Sequence, residues 1–387
     1  MTPTLLRETA LVDHERRTLT PGMSVLIDGG RISWVRPTDD EGDLPDDTEI
    51  VDASGTTALP AMVDAHCHLT LTGGAHWLSH VSDSAEQLRD NAEDNARLLH
   101  QAGVRWVRDV GSPVKNGRAV SLDVRDAWLG RPGFPYVRAA GGWVARTGSC
   151  PGAVEVDDAD GLLAAAMDQL DAGADLVKLY LDGPDRVSAP FTASEVRRVV
   201  EAAHARGARV TAHSGYLAGA RAGVEAGVDA LEHGFQLDAD VVTAMAAGGT
   251  ALVSTLAVLE SWETFATTTS QERFTSAEGR QRTGERREAA RESVRLAHRA
   301  GVVVAAGTDA GGGSLRANQI AWEVQALVAA GLEPYDALHA VTVNGGRVLG
   351  EPDVGVIRPG GPADLVLVHG DPLTDPAALW RVWRTTW

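Results

Sequence analysis

The sequence predicts an α/β protein: a TIM-like (β/α)₈ barrel over residues 59–350, carried by a small β-sandwich that residues 1–58 and 351–387 build together. Three observations carry this. Short apolar runs alternate with amphipathic helical stretches through the middle of the chain. A glycine closes one helix after another just before the next run, at Gly103, Gly173, Gly207, Gly227, Gly301 and Gly331. Both ends of the chain read instead as strands and turns.

Near the N-terminus, residues 24–27 and 31–35 flank Asp28-Gly29-Gly30, which is a hairpin signature. Residues 38–47 are acidic and carry Pro and Gly, so they predict an exposed loop. Eight apolar runs follow, at 59–65, 104–110, 135–140, 175–181, 208–212, 228–231, 250–256 and 302–306. Helix candidates between them include 84–102, 159–172, 193–206 and 319–330. Eight strands is the number that closes such a barrel. The irregular Gly111-Ser112-Pro113 interrupts the alternation after the second run, and 260–299 forms an insertion before the eighth, a lid or an extra helix pair. After Gly350 the chain returns to strand-like sequence at 354–357 and 363–369.

With 35 Lys and Arg against 53 Asp and Glu, the net charge of -18 argues against a nucleic-acid partner, which needs clustered cations. Two cysteines, Cys67 and Cys150, exclude a disulfide framework. No basic stretch leads into an apolar run at the start, and no run reaches the roughly 18 apolar residues of a membrane span. These features predict a cytoplasmic enzyme with a small-molecule substrate and no membrane partner, and leave a homo-oligomer open.

Active residues in such a barrel come from the C-terminal ends of its strands. The first run ends in Asp64-Ala65-His66-Cys67-His68, where a period of two lets both imidazoles reach one ion and turns Cys67 away. The fourth holds Lys178 within an apolar strand, and a buried ammonium without a partner is costly. The fifth ends at His213, the sixth at His233 and the eighth at Asp309.

With those five strand ends in order, the chain resembles the amidohydrolase superfamily, in the branch similar to zinc-dependent prolidase-type dipeptidases and to imidazolonepropionase. The phrases Leu59-Pro60-Ala61-Met62-Val63-Asp64-Ala65-His66-Cys67-His68, Leu231-Glu232-His233-Gly234, Gly307-Thr308-Asp309-Ala310-Gly311 and Gly360-Gly361-Pro362-Ala363-Asp364 carry the resemblance over nearly the whole chain. It implies two divalent metal ions. His66, His68 and Asp309 would hold one, His213 and His233 the other, and a carbamylated Lys178 would bridge them. The imidazolonepropionase branch uses one metal and lacks this lysine, so Lys178 favours two. Imidazole and carboxylate donors suit Zn²⁺, with Mn²⁺ or Co²⁺ as replacements. A water shared by two metals ionises near neutral pH, and Asp309 would be the catalytic proton carrier. The expected reaction is hydrolysis of an amide C–N bond in a dipeptide or N-acyl amino acid, with a cyclic amide or lactone as the alternative. A non-catalytic scaffold of the same superfamily is the remote reading, and its mark, a lost ligand, is absent.

Each residue has a plainer reading. The histidines could be satisfied core residues, and Lys178 could pair with a carboxylate. His204 and His298 read as surface or packing residues, and His100 and His339 as structural. His76 and His80 stand nearer the mouth. Cys67 reads as an inert buried thiol, Asp109 as structural or as a support behind the ligands more than a ligand itself, and Gly311-Gly312-Gly313 as a loop, since it lacks the lysine of a phosphate cradle. For substrate, the loop after the third strand offers Trp143 as an apolar wall and Arg146 as a carboxylate clamp. Ser149-Cys150 stands where the related dipeptidases carry a histidine, a departure from plain prolidase activity. Tyr180 and Tyr216 should face the pocket, Arg316 and Asn318 follow the eighth strand, and Trp262 could cap a bulky group.

Overall fold

The computed structural model describes residues 2–387. Strands β1 (Thr4–Asp13), β2 (Thr18–Asp28) and β3 (Arg31–Pro37) form an antiparallel meander. Its second turn is the expected one: Gly29 and Gly30 both take positive φ, 56° and 76°, as a tight hairpin turn requires. Strand β4 (Glu49–Asp52) runs parallel to the first part of β1, whereas β5 (Thr56–Pro60) meets β1 only at Ala10–Thr57. The acidic segment before β4 is mostly exposed, with one short helical turn at Thr38–Asp40.

All eight apolar runs become parallel strands. They are β6 (Met62–Cys67), β7 (Val104–Asp109), β10 (Tyr136–Ala139), β13 (Leu176–Tyr180), β14 (Arg209–Ser214), β15 (Ala230–His233), β16 (Ala251–Ser254) and β17 (Val304–Ala306). A short hairpin, β8 (Val114–Lys115) with β9 (Arg118–Ala119), fills the irregular stretch after β7. The sequence reads a loop between the third and fourth runs, but β11 (Val144–Arg146) and β12 (Val154–Val156) stand there, and β11 pairs with the end of β13. Three residues of each are too few for a periodic signal.

Apart from β12, which lies outside β11, the parallel strands lie in sequence order in two sheets, β10-β7-β6 and β12-β11-β13-β14-β15-β16-β17. Backbone bonds link the sheets on both sides. Asp175 N donates to Ala139 O at 2.8 Å, and Asp309 N donates to His66 O at 2.7 Å. The segment after β17 is thereby fixed against the end of β6.

Beyond the last helix, β18 (Leu365–His369) and β19 (Val382–Thr385) extend β5 antiparallel, so strands from both ends of the chain share one sheet. Leu6, Val25, Ile32, Val51, Leu365 and Leu367 form its own buried cluster. The insertion is helical: Leu256–Thr268, Glu272–Thr275 and Ala277–Arg299. It is pinned by the buried Glu323, which accepts from Ser254 Oγ at 2.6 Å and Ala257 N at 2.7 Å. Burial pushes the Glu323 carboxyl up to about 8. No helix among the described residues is long and apolar enough to cross a membrane.

Candidate active site

Strict alternation along β6 would put Asp64, His66 and His68 on one face. The strand instead slips register between Asp64 and Cys67. Val63 and Ala65 pack with Ala230, Val253 and Ala305, whereas Cys67 joins the apolar cluster that includes the helices. Cys67 is a buried thiol with its pKa driven well up by burial, as its alternation predicts. Asp64 ties the bulge down by accepting from Thr308 N at 3.0 Å and Thr308 Oγ1 at 2.5 Å.

Both histidines are oriented through Nδ1. His68 Nδ1 lies 2.6 Å from Gly111 O, an acceptor, so this nitrogen donates. His66 Nδ1 lies 2.6 Å from Glu232 Oε2. A neutral ring held this way presents the Nε2 lone pair, the state a metal requires. The two Nε2 atoms stand 3.3 and 3.4 Å from one oxygen of Asp309. Although burial opposes it, the imidazoles of His66 and His68 beside it hold Asp309 well below the usual carboxylate range.

His233 and Asp309 both adopt left-handed backbone, with φ of 69° and 52°. Such backbone is uncommon for non-glycine residues, although His and Asp enter it more readily than most. His233 Nδ1 is bonded to Thr255 Oγ1 at 2.8 Å. Donor atoms of His66, His233 and Asp309 lie within 4.8 Å of one another. The His213 ring stands 4.5 Å from that of His233 and stacks on Tyr180 at 3.9 Å, while its Nε2 lies 3.2 Å from Asp182 Oδ2.

Lys178 is 3% exposed, and its Nζ has no hydrogen-bond partner among the described residues. Burial brings its pKa down to about 8. The salt bridge that would make it an ordinary structural lysine is not formed. His66 Nε2 is likewise buried and makes no hydrogen bond, with Asp309 Oδ1 3.3 Å away. Two orphaned nitrogens beside imidazole and carboxylate donors are a chemistry that divalent ions satisfy.

Sequence reasoning missed Glu232. It is completely buried and binds Arg108 Nη2 at 2.5 Å and the Thr211 hydroxyl as well as His66. The signal was a carboxylate and an arginine each set in an apolar strand. Asp109 is structural as read, accepting from Leu69 N and Gly111 N.

The cavity above these groups has a volume of about 230 Å³. Trp143, Tyr180, Tyr216 and Trp262 line it, as do Ser149 and Cys150. Arg146 does not; its guanidinium donates to Asp157 O. Alternation along β11 explains the correction: with Trp143 toward the cavity, Arg146 three residues on points away. Arg146→Ala should therefore change kcat/KM less than about twofold, the scale of a surface change; a loss confined to acidic substrates would restore the clamp. Arg316 binds Thr72 O, and neither it nor Asn318, His76 or His80 lines the cavity. The arginines that do are Arg186, Arg273 and Arg286.

A set of strand-end imidazoles, one lysine and one aspartate at the mouth of parallel strands defines a class of hydrolase. The chain matches the amidohydrolase family over residues 57–385 and belongs to it. A protein of Mycobacterium bovis is 34% identical over 332 residues, covering 84% of this chain and 82% of the relative, and is uncharacterised. An imidazolonepropionase of Anaeromyxobacter sp. (strain K) is 27% identical over 397 residues, covering 90% and 84%. Among solved structures, a Xaa-Pro dipeptidase with methionine bound in its active site superposes with a TM-score of 0.87 at 25% identity, covering 99% of this chain and 98% of that one. Family and neighbours together make this an enzyme that hydrolyses amide, or more broadly C–N, bonds.

Proposed function

We propose that the chain is a two-metal hydrolase that opens the amide bond of a small substrate such as a dipeptide or N-acyl amino acid. The observation that carries this is Lys178: a buried amine with no partner among the described residues, lining one cavity with His66, His68, His213, His233 and Asp309. On this reading residues 59–350 close as the barrel, and 1–58 with 351–387 form the sandwich that carries it.

A depressed lysine pKa leaves part of the amine neutral near pH 8. The Nζ lone pair can then add to the carbon of CO₂ and release a proton, giving an anionic carbamate. His66, His68 and Asp309 would hold one divalent ion, His213 and His233 the second, and the carbamate of Lys178 both. Bound there, zinc or manganese would supply a Lewis acid and lower the pKa of water. Asp309 accepts the proton from the attacking water and delivers it to the departing amine. Tyr180, stacked on His213, keeps that ring in place. Trp143 and Trp262 wall the substrate from solvent.

The tight trio His66, His233 and Asp309 favours a second reading, one ion acting on a cyclic amide or lactone. Metal analysis by plasma mass spectrometry on untagged protein separates the two. About two equivalents support the binuclear centre and about one supports the second reading. No bound metal after reconstitution with bicarbonate would overturn both. Asp309→Asn should lower kcat on a dipeptide panel by about 10³-fold, as the loss of a proton carrier does.

A further inference from the structure

The cavity's outer wall carries a charge opposite to that of the molecule. The chain has a net charge of -18, yet Arg186, Arg273 and Arg286 line the cavity and Asp182 and Asp309 are its only carboxylates among the described residues. Both aspartates are engaged. Asp182 accepts from Ser214 Oγ at 2.9 Å and Gly215 N at 2.8 Å and faces His213, while Asp309 faces His66 and His68.

Arg286 is the most informative of the three. On the same helix, Arg282, Arg287, Arg291 and Arg295 each pair with a glutamate. Among the described residues Arg286 pairs with none and makes no hydrogen bond, and its Nε is buried without a partner. Aromatic faces position it: its Cζ stands 4.9 Å from the Phe235 ring, 5.2 Å from Tyr216 and 5.8 Å from Trp262. Such a stack leaves the guanidinium edge free for a planar anion. Among the described residues Arg186 has no side-chain partner either, and Arg273 binds only neutral groups, Gln271 Oε1 and Ala75 O, while lying 4.5 Å over Trp77. Trp77 in turn stacks on Trp262 at 6.0 Å, so cations and flat apolar rings alternate along this wall.

We propose that Arg286, flanked by Arg186 and Arg273, selects an anionic amide, whose carboxylate meets the guanidinium while a flat apolar group lies among Trp77, Trp143 and Trp262. This rests on the hydrolase reading and names its substrate class. It places anion recognition on the inserted helices instead of at Arg146.

The test separates binding from turnover. Metal-loaded enzyme is titrated calorimetrically with 3-phenylpropanoate and with 3-phenylpropanamide, which differ only in the charged end. The acid should bind at least about tenfold more tightly. Arg286→Gln should remove that preference with amide affinity and metal content unchanged, and Arg286→Lys should keep part of it. Equal binding of acid and amide to the parent enzyme would overturn the proposal. So would an acid preference that survives in Arg286→Gln, since the anion would then sit at the metals. If neither the glutamine nor the lysine variant folds, the same comparison on metal-free parent enzyme decides: an acid preference that disappears with the metals would overturn the proposal, and one that persists would support it. Matched N-acyl phenylalanine and N-acyl phenylalaninamide then test turnover. Retained acid binding without hydrolysis of either would sink the hydrolase reading and leave anion selection standing.

Discussion

Lys178→Ala should lower kcat/KM by at least about 10³-fold and strip most of the bound metal, because it deletes the one group that can hold both ions. Loss of the ammonium itself should not weaken the metal-free fold, so what alanine costs there is the cavity left by the buried butyl chain. Lys178 makes no hydrogen bond there, and burial of its amine opposes the charged form. Its folded pKa of about 8 lies below the ordinary lysine value. The unfolded chain therefore binds more protons between those two values, and the amine's cost to stability is full below the lower one. Lys178→Met, which keeps the volume without the charge, should melt in chelator at or above the parent's temperature. Calorimetric melting with and without chelator, beside metal content and kinetics, distinguishes a metal-bridging lysine from a structural one. A structural lysine would cost stability in both conditions, and retained metal and activity would sink the binuclear centre outright.

The residues that make this site were legible to unequal degrees. His66, His68, His213, His233 and Asp309 stand at strand ends, and strand ends can be read because an apolar run stops there. Lys178 was legible for the opposite reason, as a charge where an apolar strand should continue. Glu232 has the same signature, but adjacency to His233 hid it. Alternation assigns neighbours to opposite faces, whereas the left-handed turn at His233, with φ of 69°, breaks that rule and lets both side chains reach the interior. The bulge in β6 defeats alternation in the same way, since Val63 and Ala65 as well as His66 turn inward. Arg146 was misplaced because its loop contains a strand whose three residues carry no periodic signal. Arg286 lies about 23 residues before Asp309, within a helix rich in arginine. A half-buried guanidinium with no hydrogen bond among the described residues sets it apart, and that is a property of three-dimensional neighbours.

Glu232→Ala should be the most destabilising single change at the site, by about 3–5 kcal/mol, because it strands a buried arginine. Arg108 is 3% exposed and Glu232 is fully enclosed, so water cannot replace the lost carboxylate. Burial alone would raise the Glu232 pKa, but Arg108 and Lys178 hold it well below the usual range. Its contribution is therefore present at neutral pH and lost as the pH falls through the acidic range. Removing both charges, in Arg108→Met with Glu232→Leu, should recover much of the loss, since a buried pair replaced by apolar groups of similar volume is often neutral. Activity should not return with stability. Without Glu232 Oε2, His66 Nδ1 has lost the acceptor that fixes its tautomer, and Nε2 no longer reliably presents a lone pair for an ion it would share with Asp309. Urea unfolding and kcat on the same three proteins measure the two effects separately. A double variant that is stable, metal-loaded and fully active would show that Glu232 balances Arg108 and has no part in orienting His66.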